Sequence, residues 1–279
     1  MSFPLPSLIW DVSPTFVALR GFSLRYYGAL FTASLYAGYG LLSWQIRRGG
    51  GDAEEAADFW VYGMPLLMIG ARLGHVLFYD AWLLGDPVHA LNMTQGGMAS
   101  HGAGLGLALA MYLFTRRRAI PFLEGADRLT FSVAVAAILI RIGNLFNSEI
   151  VGKPTDGSWG IAFPRFDVEH QLAPLRHPTQ IYEMLLGASV FALLLACDAR
   201  WGREHRPRGA LTGVLLVSYF CGRFLVEFWK EPQAGELGWL LNMGQMLSIP
   251  YALLGVGLLW WSLRVRHSAG WVVAWKSRT

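Results

Sequence analysis

Long apolar runs alternate with short polar segments along this chain, and each run is about as long as a membrane-spanning helix. A bilayer core about 30 Å thick needs about 20 apolar residues in one helix. The pattern therefore predicts an all-α integral membrane protein with seven transmembrane helices in a single domain, residues 1–279. The predicted spans are Leu24–Ile46, Phe59–Tyr79, Gly97–Phe114, Leu129–Phe146, Gln180–Asp198, Ala210–Trp229 and Met243–Leu263.

Composition supports this interpretation. Hydrophobic residues make up 54% of the chain and charged residues 15%, against about 25% charged residues in a typical soluble domain. The net charge of +4 does not indicate a nucleic-acid partner, because the cations lie at the ends of apolar runs. The two cysteines, Cys197 and Cys221, form no metal-binding motif, so we predict neither a metal nor another cofactor.

The distribution of cations between the predicted spans gives an orientation. Fourteen of the 23 Lys and Arg residues lie on one side, in the segments that follow spans one, three, five and seven. Because cytoplasmic segments carry the excess of cations, the amino terminus is predicted to be periplasmic and the carboxyl terminus cytoplasmic. Two periplasmic segments exceed simple turns: an interfacial arm, Asp80–Gln95, which contains Trp82, Leu83 and Leu84, and a small cap, Asn147–Thr179.

Several polar residues lie inside the predicted spans, where an arginine costs about 2.5–3.5 kcal/mol on insertion scales and normally faces a partner or a cavity. His101 lies among glycines at the outer end of span three. Glycines let another backbone or a lipid chain approach closely. The alternative is helix packing, with His101 hydrogen-bonded to a neighbour. Arg72 and His75 lie in span two, where Arg72 is interpreted as a bridge between helices.

Two further groups close spans four and six. Arg141 and Asn144 are three residues apart and share a helical face, and arginine offers planar donors that match a phosphate. Tyr219, Arg223 and Glu227 are spaced by four residues on one face. The structural alternatives are ion pairs of Arg141 with Glu149 and of Arg223 with Glu227. Taken together, the groups predict an outer-leaflet cavity for an anionic lipid headgroup.

Six motifs in order along the chain resemble those of the prolipoprotein diacylglyceryl transferase family. The longest is Arg141–Gly152, which resembles the family signature. The others are Arg25–Gly28, Gly97–Gly104, His177–Glu183, Arg223–Phe228 with Tyr219 before it, and Met243–Pro250. Departures from the family pattern occur at Ser100, Ala103, Ile140, Leu145 and Lys153.

The resemblance implies an enzyme of a bacterial inner membrane with two membrane-bound substrates. It would move the diacylglyceryl unit of phosphatidylglycerol onto the lipobox cysteine of a prolipoprotein and release glycerol phosphate. Arg141 and Arg223 would hold the donor phosphate, and His101 would deprotonate or orient the thiol. The positions associated with donor binding or activity are Tyr27, Asn144, Asn147, Glu149, Gly152, Tyr219 and Glu227.

Two alternatives stay open at this point. A divergent member of the family would be a related lipid transferase with a different acceptor or donor. A protein of another class, a membrane transporter or lipid-binding scaffold, would line a pathway with Arg–Glu pairs. The sequence shows no internal repeat that would favour a transporter.

Overall fold

The computed structural model describes residues 8–20, 22–78, 80, 85–90, 92, 97–169, 172–231 and 241–265. Within these ranges, seven long helices form a bundle, and one short helix lies between the second and the third of them in sequence. The helices are α1 (Tyr26–Arg48), α2 (Glu54–Phe78), α3 (Pro87–Ala90), α4 (Ser100–Arg118), α5 (Phe122–Phe146), α6 (Thr179–Arg200), α7 (Ala210–Val226) and α8 (Met243–Val265). The strands are β1 (Leu8–Ile9), β2 (Thr15–Leu19), β3 (Phe22–Arg25), β4 (Ile161–Ala162) and β5 (Leu175–Arg176).

Five of the described helices are long and apolar enough to cross a membrane, which makes this a multi-pass membrane protein. They are α2, α5, α6, α8 and α7 together with the 3-10 turn Glu227–Trp229 that extends it. The predicted spans one and three correspond to α1 and α4, which are 23 and 19 residues long but less apolar. Seven crossings and their orientation therefore stay predictions.

Two helices begin earlier than their apolar runs predict. α5 begins at Phe122 rather than Leu129, and α2 begins at Glu54 rather than Phe59. The first turns of α5 contain Glu124 and Arg128, which hydropathy excludes from a span. In the structure these two side chains are buried and form an ion pair of 3.0 Å, so the helix continues through them. Predicted residue Tyr79 lies outside the described residues.

The arginine-rich end of the bundle holds an ionic network that joins three helices and the connection between α6 and α7. Arg48 of α1 pairs with Asp198 of α6 at 2.6 Å. Arg206, in the connection between α6 and α7, lies 3.5 Å from Asp198 and 3.3 Å from Glu124 of α5. Burial of these charges is tolerated because each has an opposite partner. The basic clusters predicted after spans one and five thus meet at one end.

The α2–α4 contact depends on glycines. A Cβ atom on Gly102 of α4 would lie 2.1 Å from the carbonyl oxygen of Gly70, and one on Gly106 would lie 2.0 Å from that of Leu66. Such distances leave no room for a side chain, so the two backbones touch. Gly102 and Gly106 therefore serve helix packing, as the packing alternative predicted.

The opposite end of the bundle is covered by the predicted cap, which consists of short strands and turns. β4 pairs with β1 in parallel and with β5 in antiparallel orientation. Trp10, which follows β1, donates from Nε1 to the carbonyl oxygen of Leu145 at 2.9 Å and so ties this sheet to the end of α5. Strands β2 and β3 form a hairpin before α1, which hydropathy did not predict.

The predicted arm is described in part. Its residues within the described ranges include the short helix α3, whereas Trp82, Leu83 and Leu84 lie outside those ranges. Arg72 of α2 donates to the carbonyl oxygens of Gly97 at 3.3 Å and of His89 at 3.0 Å. The predicted bridging role of Arg72 is therefore confirmed, since it joins α2 to the short helix α3 and to the segment before α4.

Candidate active site

A buried carboxylate, that of Glu183, lies at the centre of the polar residues near the cap. Arg141 of α5 approaches it with Nε at 2.5 Å from Oε2. Arg223 of α7 donates to Oε1 at 3.1 Å, and the Nζ atom of Lys230 lies 2.9 Å from the same oxygen. Since α6 packs against both α5 and α7, its first turns bring Glu183 between the two arginines. These four residues with Glu227 are called the cation cluster below.

The structural alternatives from the sequence named the wrong partners. The described contacts pair Arg141 with Glu183 rather than Glu149, and they pair Arg223 with Glu183 rather than Glu227. Glu227 instead contacts Lys230, at 2.9 Å. Glu227 still lies one helical turn beyond Arg223, because its N–H donates to the Arg223 carbonyl oxygen. Lys230 follows directly after the 3-10 turn Glu227–Trp229 and pairs with the Glu227 carboxylate, whereas the Arg223 guanidinium reaches Glu183 on α6.

The end of α5 orients Arg141 through a short chain of hydrogen bonds. Arg141 donates from Nη1 to Oδ1 of Asn144 at 2.9 Å, which confirms their predicted shared face. Asn144 then donates from Nδ2 to Glu149 at 2.7 Å, and Asn147 donates to the same Glu149 oxygen at 3.2 Å. Glu149 therefore fixes the two amides, and Asn144 fixes the guanidinium.

The ring of Tyr27 packs against α5 beside Gly143, next to the residues of this hydrogen-bond chain. A Cβ atom on Gly143 would lie 2.8 Å from Cδ2 of the Tyr27 ring, so the ring occupies the space beside the α5 backbone. The neighbouring Tyr26 stacks on Phe146 with ring centroids 4.2 Å apart. These contacts place the start of α1 beside the residues that hold Arg141.

Gly152 joins the cap to the segment after α7. Its N–H donates to the carbonyl oxygen of His177 at 2.9 Å, and it forms a β-bridge with Lys230. A Cβ atom at this position would lie 2.4 Å from that His177 oxygen and 2.7 Å from the carbonyl oxygen of Trp229. Glycine is therefore required for the backbone of Lys230 to approach.

A second ionic contact supports the same segment. Arg176 of β5 donates to both carboxylate oxygens of Asp167, at 2.8 and 2.6 Å, and to Glu231 at 2.7 Å. Hydrogen bonding to Asp167 raises the pKa of Arg176 above its ordinary value. The cap thus holds Glu231, the residue next to Lys230, by a permanently charged group.

His101 lies on α4, and its ring faces α7, the helix that carries Arg223. Its side chain is buried, and Nε2 has no hydrogen-bond partner among the described residues. The ring faces Phe220 and Tyr251, with centroids 6.4 and 6.0 Å away, and it lies close enough to Arg223 and Lys230 to interact with their charges. The predicted alternative, a hydrogen bond that holds His101 in a purely packing role, is not observed at Nε2 within the described chain.

Tyr219 is the predicted site residue with the least polar surroundings. It lies one turn before Arg223 on α7, and its ring meets that of Phe220 edge to face at 5.4 Å. It packs against an apolar cluster that includes Phe131 and Leu215. Tyr219 thus shares α7 with Arg223, and its neighbour Phe220 faces His101.

The sequence did not predict a role for Glu183 or Lys230. Glu183 lies in a predicted span, and the rule that marked Arg141 and Arg223 as costly applies equally to a carboxylate. That signal was present. Lys230 lies just beyond a predicted span and was counted as a surface cation, yet it is only 6% exposed. No local pattern indicates that burial, because the cap produces it.

The fold and the cation cluster define a polytopic membrane protein with a buried, net cationic site at one end of its bundle. Among the described residues, no three His, Cys, Asp or Glu side chains are grouped to hold a metal. The chain belongs to the prolipoprotein diacylglyceryl transferase family, whose model matches residues 14–261.

Curated relatives agree with this assignment. The phosphatidylglycerol–prolipoprotein diacylglyceryl transferase of Tolumonas auensis is 38% identical over 255 residues, which cover 90% of this chain and 96% of the relative. The protein of the same name from Chloroherpeton thalassium is 38% identical and covers 92% of this chain and 95% of its own length. The protein of the same name from Bacteroides fragilis is 35% identical, and the match covers 90% of this chain and 94% of the relative.

Proposed function

We propose that this chain transfers the diacylglyceryl group of phosphatidylglycerol to the lipobox cysteine thiol of prolipoproteins. The name shared by the relatives states this donor and this kind of acceptor. The structural observation that supports the proposal best is the convergence of Arg141, Arg223 and Lys230 on the single carboxylate of Glu183.

The charge of the cation cluster suits the proposed donor. Three cations face the two carboxylates of Glu183 and Glu227, so one positive charge is left over. The phosphodiester of phosphatidylglycerol carries one negative charge. Guanidinium groups bind phosphate oxygens through paired, charge-assisted hydrogen bonds. Arg141 and Arg223 therefore hold the donor phosphate, between α5 and α7.

The transfer is a displacement at the glyceryl carbon that carries the phosphate. The cysteine sulfur forms a new bond to this carbon. The bond between the carbon and its phosphate oxygen breaks, and the electron pair of that bond leaves with glycerol phosphate. The leaving group gains negative charge as the bond breaks. Cations placed beside it stabilise the transition state more than the ground state.

The attacking sulfur must be a thiolate, and a free thiol has a pKa of about 8.5. His101 is the residue we assign to the thiol, as proton acceptor or as a hydrogen-bonding orienter, because its Nε2 is buried without a partner among the described residues. The remaining assigned residues support the donor site. They are Tyr27, Asn144, Asn147, Glu149, Gly152, Tyr219 and Glu227.

The proposal includes the location of the site. All seven long helices cross a bacterial inner membrane, with the amino terminus and the cap in the periplasm and the carboxyl terminus in the cytoplasm. The excess of arginines at the end opposite the cap supports this orientation. Phosphatidylglycerol and the prolipoprotein both reach the cation cluster from the bilayer.

The test is a transfer assay with purified protein in vesicles. Phosphatidylglycerol labelled in its glycerol backbone is mixed with a peptide that carries a lipobox cysteine, and an otherwise identical peptide with serine at that position is the control. We expect label to appear on the cysteine peptide through a thioether. Turnover of the donor without peptide labelling would indicate a related lipid transferase, and vesicle uptake without turnover would indicate a transporter.

A further inference from the structure

Lys230 has no role in the mechanism as derived from the two arginines, although it is buried in the cation cluster. Its Nζ atom lies 2.9 Å from Glu183 and 2.9 Å from Glu227, so it contacts both carboxylates of the cluster. Burial, together with the charges of Arg223 and Arg141, lowers the pKa of Lys230, and the two carboxylates oppose that shift. The two ion pairs favour the charged form of the ammonium.

The backbone on both sides of Lys230 is fixed to the cap. The carbonyl oxygen of Trp229 accepts from the N–H of Lys153 at 2.8 Å, and the N–H of Glu231 donates to the carbonyl oxygen of Val151 at 3.2 Å. Gly152 lies between these two contacts and faces Lys230 directly. The ammonium therefore stands at the junction of the cap with α6 and α7.

We propose that Lys230 is a third phosphate-binding residue, which neutralises the charge that develops on glycerol phosphate as it leaves. This inference rests on the proposed function. The diester carries one negative charge and matches the net charge of the resting cluster. The departing phosphate monoester carries up to two negative charges, and the second of them requires a further cation. Lys230 supplies it, because its flexible stem lets the ammonium turn from Glu227 to a phosphate oxygen.

The nature of the side chain agrees with this role. An ammonium is a compact point charge that reorients easily, whereas a guanidinium requires a planar, paired geometry. Arg141 is held in such a geometry by Asn144 and Glu183, at 2.9 and 2.5 Å. The arginines thus bind the diester in a fixed position, and the lysine follows the charge during the reaction.

The experiment compares Lys230→Gln, Lys230→Arg and the matched control Lys153→Gln in the transfer assay. Lys153 is a cation of the same cap whose Nζ donates to the carbonyl oxygen of Phe228 at 2.9 Å and is exposed. The readouts are kcat, the KM values for donor and peptide, and inhibition by added glycerol phosphate. Inhibition by glycerol phosphate, which is a dianion, measures the proposed contact of Lys230 with the product. It therefore distinguishes a loss of this contact from a loss of folded protein.

For Lys230→Gln we expect kcat to fall about 10²-fold, as on loss of one charge-stabilising donor, with an unchanged peptide KM. The inhibition constant for glycerol phosphate should rise about tenfold or more, as on loss of a hydrogen bond to a charged group. Lys230→Arg should keep the inhibition constant within about threefold of the wild-type value, since arginine keeps the positive charge. Lys153→Gln should match the wild type in all four quantities.

An unchanged inhibition constant in Lys230→Gln would overturn the proposal even if kcat fell, because a structural role alone predicts that result. Should that variant fail to fold, Lys230→Met in a donor-stabilised preparation gives the same comparison. If the wild type itself transfers no diacylglyceryl group, the proposed function fails. If the wild type transfers it and the position-230 variants behave like Lys153→Gln, only the role of Lys230 fails.

Discussion

Glu183 forms an ion pair of 2.5 Å with Arg141, and the same carboxylate receives Arg223 and Lys230 from the other side. One anion on α6 thus holds the cations from α5 and from the end of α7 together. The carboxylate of Glu183 is fully buried, so solvent does not replace it. Under the proposed function, the donor phosphate is the anion that takes its place beside these cations.

This arrangement predicts the behaviour of Glu183→Gln. Removal of one partner from a buried ion pair costs about 3–5 kcal/mol, so the variant should unfold at a lower temperature than the wild type. Phosphatidylglycerol should restore more stability to the variant than it adds to the wild type, because the phosphate supplies the missing negative charge. The measurement is thermal unfolding with increasing phosphatidylglycerol, and the exposed Glu54→Gln is the control. Equal lipid-dependent shifts in all three proteins would contradict the prediction.

Arg141→Ala and Arg223→Ala should each lower the rate of transfer by about 10²–10³, the loss typical for one group that stabilises transition-state charge. The control is Arg165→Ala, since Arg165 is a half-exposed cation of the cap that pairs with Asp11 at 2.9 Å. Initial rates at saturating donor separate the loss in kcat from weaker binding. Wild-type rates in both site variants would exclude the assigned phosphate contact.

The sequence predicted the two arginines of this site but neither Lys230 nor the partner of these cations, and the reason is physical. Arg141 and Arg223 stand out because a charge in an apolar run is costly wherever it lies. Their common partner depends on how α6 packs between α5 and α7, which no local spacing encodes. The ion pairs inferred from spacing, with Glu149 and Glu227, were wrong for that reason.

The helix boundaries were likewise predicted in part, and the rest depends on tertiary contacts. Apolar runs located the long helices, because lipid and helix interiors both select apolar residues. They missed the first turns of α5, where Glu124 and Arg128 are buried as a pair. They also gave no sign of the cap's sheet, whose strands β1, β4 and β5 are too short for periodicity to detect.

The role of His101 can be tested by the pH dependence of transfer. If His101 accepts the thiol proton, His101→Gln should be strongly impaired near pH 7 and should recover above about pH 8.5, where the thiol ionises without help. We expect this recovery, because the buried Nε2 has no other described partner. His205→Gln, an exposed histidine at the arginine-rich end, is the control. A loss that is constant over the whole pH range would identify His101 as an orienter instead.

The glycine contact between α2 and α4 predicts opposite effects for two neighbouring glycines. Gly102→Ala should destabilise the protein by about 1–3 kcal/mol or more, since its Cβ would overlap the Gly70 carbonyl oxygen. Gly104→Ala should be neutral or stabilising by up to about 1 kcal/mol, because nothing lies within 4 Å of its Cβ and alanine is the better helix former. Thermal unfolding of the two variants measures this directly. Similar losses at both positions would show that α4 does not touch α2 as described.

Asp127 joins α5 to the start of α7 at the arginine-rich end of the bundle. It is fully buried on α5 and accepts hydrogen bonds from the N–H groups of Gly209 and Thr212, both at 2.8 Å, and from the Thr212 hydroxyl at 2.7 Å. It therefore caps the start of α7 from a neighbouring helix. Both α5 and α7 run from this contact toward the cap. The contact therefore sets the position of Arg141 along the bundle axis relative to that of Arg223.

Asp127→Ala should lower stability by about 1–3 kcal/mol for the unsatisfied buried donors, and it should also raise the donor KM more than the peptide KM. Thr212→Val should show a smaller change of the same kind, because it removes the hydroxyl and keeps the N–H contact. Asp198→Asn, in the same ionic network but without a contact to the start of α7, should lose stability while the ratio of the two KM values stays that of the wild type. Parallel changes in that ratio for Asp127→Ala and Asp198→Asn would mean that Asp127 only stabilises the fold.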